Sequence, residues 1–276
     1  MLKLSSIKLD KVWGYELWLA STHPNGLQKD FYDFCGGAYP LLVKVIQADE
    51  SLSVQVHPDD QAAVRLEGEG SVGKTECWHV LAAKPGASLV YGLNDNFSRQ
   101  ELEAAIASNA LSPCLRQVKV EAGDFVFIPA GTVHAIGGGL RLMEVQQSCD
   151  ITYRLYDWGR PREIHVQKGL ASIKNEGLKK VERFAGRFEC EYFGLEEIEL
   201  CGEARLKNAA AKKSPEAVQL FYVLEGSGTV QGGPCGADRD FAREENFFAE
   251  DIFALAAGEE LLFKSPKARV MKIFCR

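Results

Sequence analysis

From residue 41 to residue 158 the chain is a succession of short runs rich in β-branched and aromatic residues, each closed by a turn signal. They read "LLVKVIQA" (41–48), "SLSVQVH" (51–57), "CWHVLAA" (77–83), "ASLVYGL" (87–93), "DFVFIP" (124–129), "LRLMEVQQ" (140–147) and "ITYRLYDW" (151–158). So many short strands in close succession predict an antiparallel sandwich or barrel. Helices are expected in few places. In "SRQELEAAIASNAL" (98–111), Ser98 and Glu101 form a capping-box pattern ahead of Leu102, Ala105 and Ile106. "HPDDQAAVRLEG" (57–68), capped by Asp59 or Asp60, and "EIHVQKGLASI" (163–173) are the other two.

Beyond a connector, "KNEGLKK" (174–180), strand-like text resumes in 217–233 and 251–263, with an internal echo. Setting "PAG" (129–131) over "AAG" (256–258) brings Asp124 onto Asp251, Ile128 onto Leu255 and His134 onto Leu261. "WHVL" (78–81) and "FYVL" (221–224) echo each other in the same way. A second copy of one strand-turn-strand unit is therefore expected, without the histidine. At 276 residues and 46% hydrophobic, the chain has material for two modest domains.

Net charge is −6, with 32 Lys+Arg against 38 Asp+Glu and no long basic run, so the footprint of a nucleic-acid binder is missing. No run of eighteen apolar residues suggests a membrane span, and the N-terminus lacks a signal-peptide core. The eight cysteines are scattered without a C-x-x-C pair and read as reduced thiols. A soluble cytoplasmic protein with a small-molecule partner is expected.

In "GDFVFIPAGTVHAIGGG" (123–139), Pro129 and Gly131 force a turn, and His134 sits at a fixed point just past it. Strand alternation puts Ser53, Gln55 and His57 on one face, with Leu52, Val54 and Val56 on the other. That pattern suits either an exposed polar face or a strand whose polar side lines a cavity. In "GKTECWHVL", Glu76 and Trp78 share a face opposite Cys77 and His79. His79, His23 and His165 read as packing residues. Catalytic zinc sites take three ligands from His, Glu or Asp and leave a position open. His57, Glu76 and His134 supply that set, with Gln55 as a possible fourth, oxygen-donating ligand.

Glu144 shares a face with Leu140 and Leu142, and a carboxylate in apolar company has its pKa raised toward the range of a general base. A surface glutamate is the other reading. Arg154 and Arg160 suit phosphate or a developing oxyanion, or alternatively a salt bridge to Asp157 or Glu163.

Together, "SLSVQVHPDD", "GKTECWHVL", "GDFVFIPAGTVHAIGGG" and "ITYRLYDWGR" resemble the type I mannose-6-phosphate isomerases, zinc enzymes of the cupin fold. The resemblance extends from "KVWG" to about residue 173, and the remainder is similar only to a degenerate second cupin. It implies a mainly β protein of two jelly-roll barrels with a few short helices. The catalytic, metal-binding domain would be 1–175, with a short helical insertion, and a cupin without ligands 176–276. It implies Gln55, His57, Glu76 and His134 as ligands of one Zn2+, and Arg154 as an active-site arginine. Ser53 and Lys74 would contact substrate, Arg160 the phosphate, and Glu144 would be a base. The implied reaction interconverts mannose 6-phosphate and fructose 6-phosphate through an enediol. Lys74 would shuttle the proton only with a lowered pKa. "LEGEGSVG" (66–73) and the 98–111 helix are short where larger members carry a helical insertion, which leaves monomer and homodimer both open.

Two histidines and a carboxylate also compose the facial triad of iron dioxygenases. Gln55 and the basic residues 74, 154 and 160 speak against that. A sugar-phosphate-binding cupin without turnover is the other alternative.

Overall fold

The computed structural model describes residues 1–174, 178–235, 241 and 244–276, and these form two compact units. One comprises Lys8–Leu17 and Val43–Phe184, the other Met1–Ile7, Trp18–Leu42 and Ala185–Arg276. Within the expected connector, 175–177 lie outside the described residues, as does the expected cut between 175 and 176. The start of the chain divides differently from expectation, because much of it is built into the second unit. Leu2–Lys3 pairs with Ile252–Leu255, the terminal ammonium lies 2.9 Å from Glu259, and the Tyr39 hydroxyl donates to the Val218 carbonyl at 3.3 Å. Pairings so distant along the chain leave no local pattern in the sequence.

In the first unit a five-stranded sheet is ordered Tyr153–Tyr156, Val54–Val56, His134–Ile136, Ser88–Leu93, Leu115–Lys119. A seven-stranded sheet, most of whose residues belong to this unit, is ordered Glu182–Arg183, Asp124–Ile128, Glu76–Ala83, Leu140–Gln147, Leu41–Ala48, Gly14–Ala20, Ile7–Lys11. The pairings within the smaller sheet are antiparallel, as are those from Glu182–Arg183 through Leu140–Gln147 in the larger one, and a core of Ile46, Trp78, Val80, Leu89, Tyr91, Val126, Ile136, Leu140 and Leu142 draws on both sheets. A second core lies on the other side of the smaller sheet. Val54, Val56, Val90 and Tyr153 pack there against Leu102 and Ile106 of the helix Arg99–Ala107 and Leu170 of the helix Val166–Ser172.

That second core settles the alternation of the 51–57 run. Burying a side chain the size of Val contributes about 1.5–3 kcal/mol, so Val54 and Val56, fully buried under the helices, commit their strand to one orientation. Gln55 and His57 are thereby turned inward. The helices hold as read: Ser98 and Glu101 complete the capping box, and the Asp59 carboxylate accepts from the Ala62 N–H at 2.7 Å to start the helix Asp60–Glu67. The helix Lys29–Cys35, ended by Gly36 at φ +73°, was not expected.

The second unit is one sheet ordered Leu2–Lys3, Ile252–Leu255, Gln219–Pro234, Glu259–Cys275, Phe193–Lys207, Arg187–Glu189, with Glu245–Phe248 on Gln219–Pro234. The run expected at 251–263 is thus two strands parted by the Ala256–Gly258 turn. Register shifts between Leu200 and Gly202 and between Val223 and Glu225 break the longest pairings, as bulges do.

The echo is structural. Asp124 accepts from the Glu121 N–H and Asp251 from the Phe248 N–H, both at 2.9 Å. Gly123 donates to the Val80 carbonyl and Glu250 to the Val223 carbonyl, both at 2.8 Å. Gly131 donates to the His57 carbonyl at 2.8 Å and Gly258 to the Asn208 carbonyl at 2.9 Å. Where His134 pairs with Gln55 in the first unit, Leu261 pairs with Leu206 in the second. The copy keeps the turn and its hydrogen bonds and replaces ligand-type side chains by leucines and an asparagine.

Candidate metal centre

Three separate strands bring the predicted ligands together. His134 pairs directly with Gln55, so both project to the inner face, while His57 follows the same strand as Gln55 with matching parity. Glu76 opens the strand Glu76–Ala83 on the opposite sheet. The rigid corner before His134 has two tasks. Its Gly131 N–H holds the His57 carbonyl, which ties the backbones of both histidines together. Its Thr132 carbonyl, 2.9 Å away, accepts the His134 Nδ1–H. Gly131 stands at φ +93°, and a Cβ there would come within 3.0 Å of the Ser172 carbonyl oxygen, so a glycine is required.

His57, Glu76 and His134 are buried, and their donor atoms lie within 4.8 Å of one another. His134 Nε2 is 3.3 Å from Glu76 Oε1, and His57 Nε2 is 3.7 Å from Glu76 Oε2. The Ile151 carbonyl takes the His57 Nδ1–H at 2.8 Å, so both imidazoles are locked in the tautomer whose Nε2 lone pair faces inward. Burial, then the Lys74 ammonium and His134, push His57 well below the usual imidazole value. Burial pushes His134 down to about 4. Both rings are therefore neutral ligands at physiological pH.

The Gln55 amide nitrogen stands 3.4 and 3.3 Å from the two Nε2 atoms. A half-turn of that amide puts its oxygen there instead. Glu76 Oε1 is buried with no hydrogen-bond partner, an expensive state for a carboxylate oxygen unless a cation meets it. Two neutral imidazoles, a carboxylate and an amide make a nitrogen and oxygen donor set that fits a divalent ion of the zinc type.

Beside this cluster lies a buried line of charge. Glu144 Oε1 is 3.4 Å from Lys44 Nζ and 3.8 Å from Lys74 Nζ. Its other oxygen accepts from the Trp78 indole N–H at 2.8 Å, across the strand pair that sets Glu144 opposite Trp78. Lys74 also contacts Glu76 and stands 3.1 Å from His57 Nε2.

Two expectations are corrected here. Burial does push the Glu144 carboxyl up, but Lys74, Lys44 and the Trp78 N–H outweigh it and hold the group below its usual value. Its surroundings are ionic, not apolar. Burial alone would lower Lys74, yet the Glu144 and Glu76 carboxylates raise it, so it stays an ammonium and does not serve as a neutral-amine base. Burial and the Glu144 charge push Glu76 up.

Arg154 pairs directly with Gln55 from the other side, which puts its side chain on the ligand-bearing face. Ser53 is buried just ahead of the Val54–Val56 strand. Arg160 is held within the stretch that follows Arg154. It donates to Asp157 Oδ1 at 3.1 Å and to the Ser51 carbonyl at 2.6 Å, the salt-bridged alternative its context allowed. Trp158 likewise donates to the Leu52 carbonyl at 2.6 Å. The "YDWGR" stretch therefore grips the segment leading into Gln55.

Asp157, gripped by Arg162 at 2.5 and 2.8 Å, supports that grip. Burial pushes its carboxyl up, but Arg162 and Arg160 outweigh it and hold the pKa below the ordinary 3.8. Its stabilisation is complete above 3.8 and is lost as pH falls through the lower folded value. Asp157→Asn is therefore expected to melt earlier than the parent at pH 7. The gap between the two melting temperatures should close under acid conditions in a pH series of thermal melts.

Sequence reasoning overlooked Lys44, whose signal is a single charge inside the otherwise apolar "LLVKVI". It also overlooked the contact of Trp78 with Glu144, and gave His165 only a packing role, although its Nδ1 accepts from the Arg154 N–H. His79 holds its expected place off the ligand face, its ring against Phe184 at 5.7 Å. A cavity of about 370 Å³ bordered by Asn94, Arg116, Thr132 and Lys174 includes none of the ligand set.

Residues 26–72 match the model of the phosphomannose isomerase type I catalytic domain. Mannose-6-phosphate isomerase ManA of Bacillus subtilis (strain 168) is 36% identical over 234 residues, 79% of this chain and 70% of that protein. The chain belongs to the type I phosphomannose isomerase family. A second relative, the mannose-6-phosphate isomerase of Streptococcus mutans, is 38% identical over 197 residues, 59% of this chain and 61% of its own length. The crystal structure of the mannose 6-phosphate isomerase from Bacillus subtilis superposes with a TM-score of 0.81 at 27% identity, covering 98% of both chains. The cupin layout is therefore that of the family throughout. No helix among the described residues is long and apolar enough to cross a membrane.

Proposed function

We propose that this protein is an aldose–ketose isomerase that interconverts mannose 6-phosphate and fructose 6-phosphate, with zinc held by His57, Glu76, His134 and Gln55. One observation carries the reading: two tautomer-locked imidazoles and a partnerless carboxylate oxygen converge beside a buried carboxylate flanked by ammonium groups. Family membership supports it. When bound, zinc supplies Lewis-acid polarisation of the substrate oxygens and a template for them.

This chain's own residues supply the proton traffic. Glu144, kept ionised by its neighbours, takes the C2 proton and returns it to C1. The Lys74 ammonium keeps its proton and offsets charge on O1 and O2 while the O2 hydroxyl proton passes to O1, so charge and protons balance through the enediol stage. Arg154 offsets charge on the substrate's anionic oxygens, and Ser53 lines the entry beside Gln55. Arg160 steadies the segment that carries them through its Nε and Nη2, and its Nη1 would meet the phosphate. The partner is a small sugar phosphate. A cytoplasmic monomer or homodimer is the setting we infer from the sequence.

A coupled assay that follows fructose 6-phosphate formation, with and without a chelator, tests the activity, and metal analysis tests the ion. Chelator-sensitive turnover with about one zinc per chain is expected. Oxygen uptake by an iron-loaded protein, or substrate binding without turnover, would replace the reading by one of its two rivals.

A further inference from the structure

The strand Tyr153–Tyr156 is the edge of its sheet, with Val54–Val56 on one side only. An edge strand leaves its outward N–H and C=O groups without a ladder partner. At Arg154 both are taken by a single residue. The His165 N–H donates to the Arg154 carbonyl at 2.8 Å, and His165 Nδ1 accepts from the Arg154 N–H at 3.0 Å. Accepting at Nδ1 places the imidazole proton on Nε2, which faces Glu163 Oε2 at 3.8 Å. The same short segment reaches the side chain, for Arg154 Nη1 donates to the Glu163 carbonyl at 2.7 Å. His165 also begins the helix Val166–Ser172, its carbonyl accepting from Gly169 at 2.8 Å. That helix is anchored in the outer core through Leu170.

We propose that His165 is a positioning residue for the isomerase reaction: its ring nitrogen and backbone N–H together stand in for a missing strand and aim Arg154 across the inner face beside Gln55. The proposal rests on the catalytic reading of Arg154 given above. His165 touches no substrate; it acts through Arg154. A displacement of about 1 Å at a reacting group costs on the order of 100-fold, so this clamp should be visible in turnover.

The test uses the zinc-loaded, full-length enzyme with mannose 6-phosphate. It compares Arg154→Ala, His165→Leu, His165→Asn and the double variant Arg154→Ala/His165→Leu. His165→Leu is expected to impair the same parameter, kcat or KM, that Arg154→Ala impairs, by about 10- to 100-fold, with metal content unchanged. His165→Asn, whose Oδ1 offers an acceptor near the position of Nδ1, should recover to within about threefold of the parent, and the double variant should be no worse than Arg154→Ala alone. If His165→Leu does not fold, His165→Ser, too short to reach the Arg154 N–H, takes its place with the same expectation. Normal turnover in His165→Leu beside an inactive Arg154→Ala overturns the clamp, as do additive losses or an unrescued His165→Asn. Near-normal turnover in Arg154→Ala instead removes the catalytic reading of Arg154 on which the clamp depends.

Discussion

His134→Ala is expected to abolish isomerase activity and to leave the purified protein without bound metal. The ring it removes is fully buried, is tethered by the Thr132 carbonyl at 2.9 Å, and presents Nε2 3.3 Å from Glu76 Oε1. The Trp78 ring packs edge-on against the imidazole at 5.5 Å. Loss of a residue that merely supports a ligand already costs roughly 10–100-fold in metal affinity, so loss of the ligand should exceed that. Metal analysis after dialysis measures the first effect and the coupled assay the second. His79→Ala is the control: another buried histidine on the same strand as Glu76 but of opposite parity, expected to keep its metal. A metal-replete His134→Ala would remove the centre from this position.

Glu144→Gln is expected to separate metal binding from proton transfer. The substitution keeps shape and an acceptor for the Trp78 N–H at 2.8 Å, but it abolishes the charge that faces Lys44 and Lys74. Loss of a positioned acid–base group lowers turnover by about 10²–10⁴-fold, and here metal content should stay normal. Exchange of the substrate C2 hydrogen with D2O, followed by NMR, should fall in step with isomerisation. If exchange persists at the parent rate, the base lies elsewhere. The variant should also be less stable, because removing one member of a buried ionic group typically costs ~3–5 kcal/mol. A thermal melt of the metal-loaded protein keeps that loss apart from the kinetic one.

Legibility followed the range of the physics involved. The capping box at Ser98 and Glu101 is a contact between residues three apart, and it was readable as such. The turn at Pro129–Gly131 and its copy at Ala256–Gly258 were readable for the same reason. The start of the chain was not: Leu2–Lys3 finds its partner at Ile252–Leu255, and nothing in "LK" records that. Among the site residues, the family motifs led to the ligand set, whereas Lys44, which joins Lys74 in holding Glu144 ionised, belongs to none of them. His165 was read as a packing residue. Its partner is the backbone of Arg154, and a backbone contact carries no residue-type signature.

The order of residues by itself determined which side chains share a face: in an extended strand parity is geometric, so Gln55 goes with His57, and Glu76 with Trp78, in any antiparallel arrangement. It also determined that the second copy would lack a ligand at the position of His134, since the Leu261 side chain has no lone pair to give a cation. Only the tertiary structure decided which face turned inward, through the apolar cover over Val54 and Val56, and whether Glu144 would be acidic or basic, through Lys44 and Lys74. Parity is a property of neighbouring bonds, while burial and Coulomb energy depend on groups that folding alone brings close.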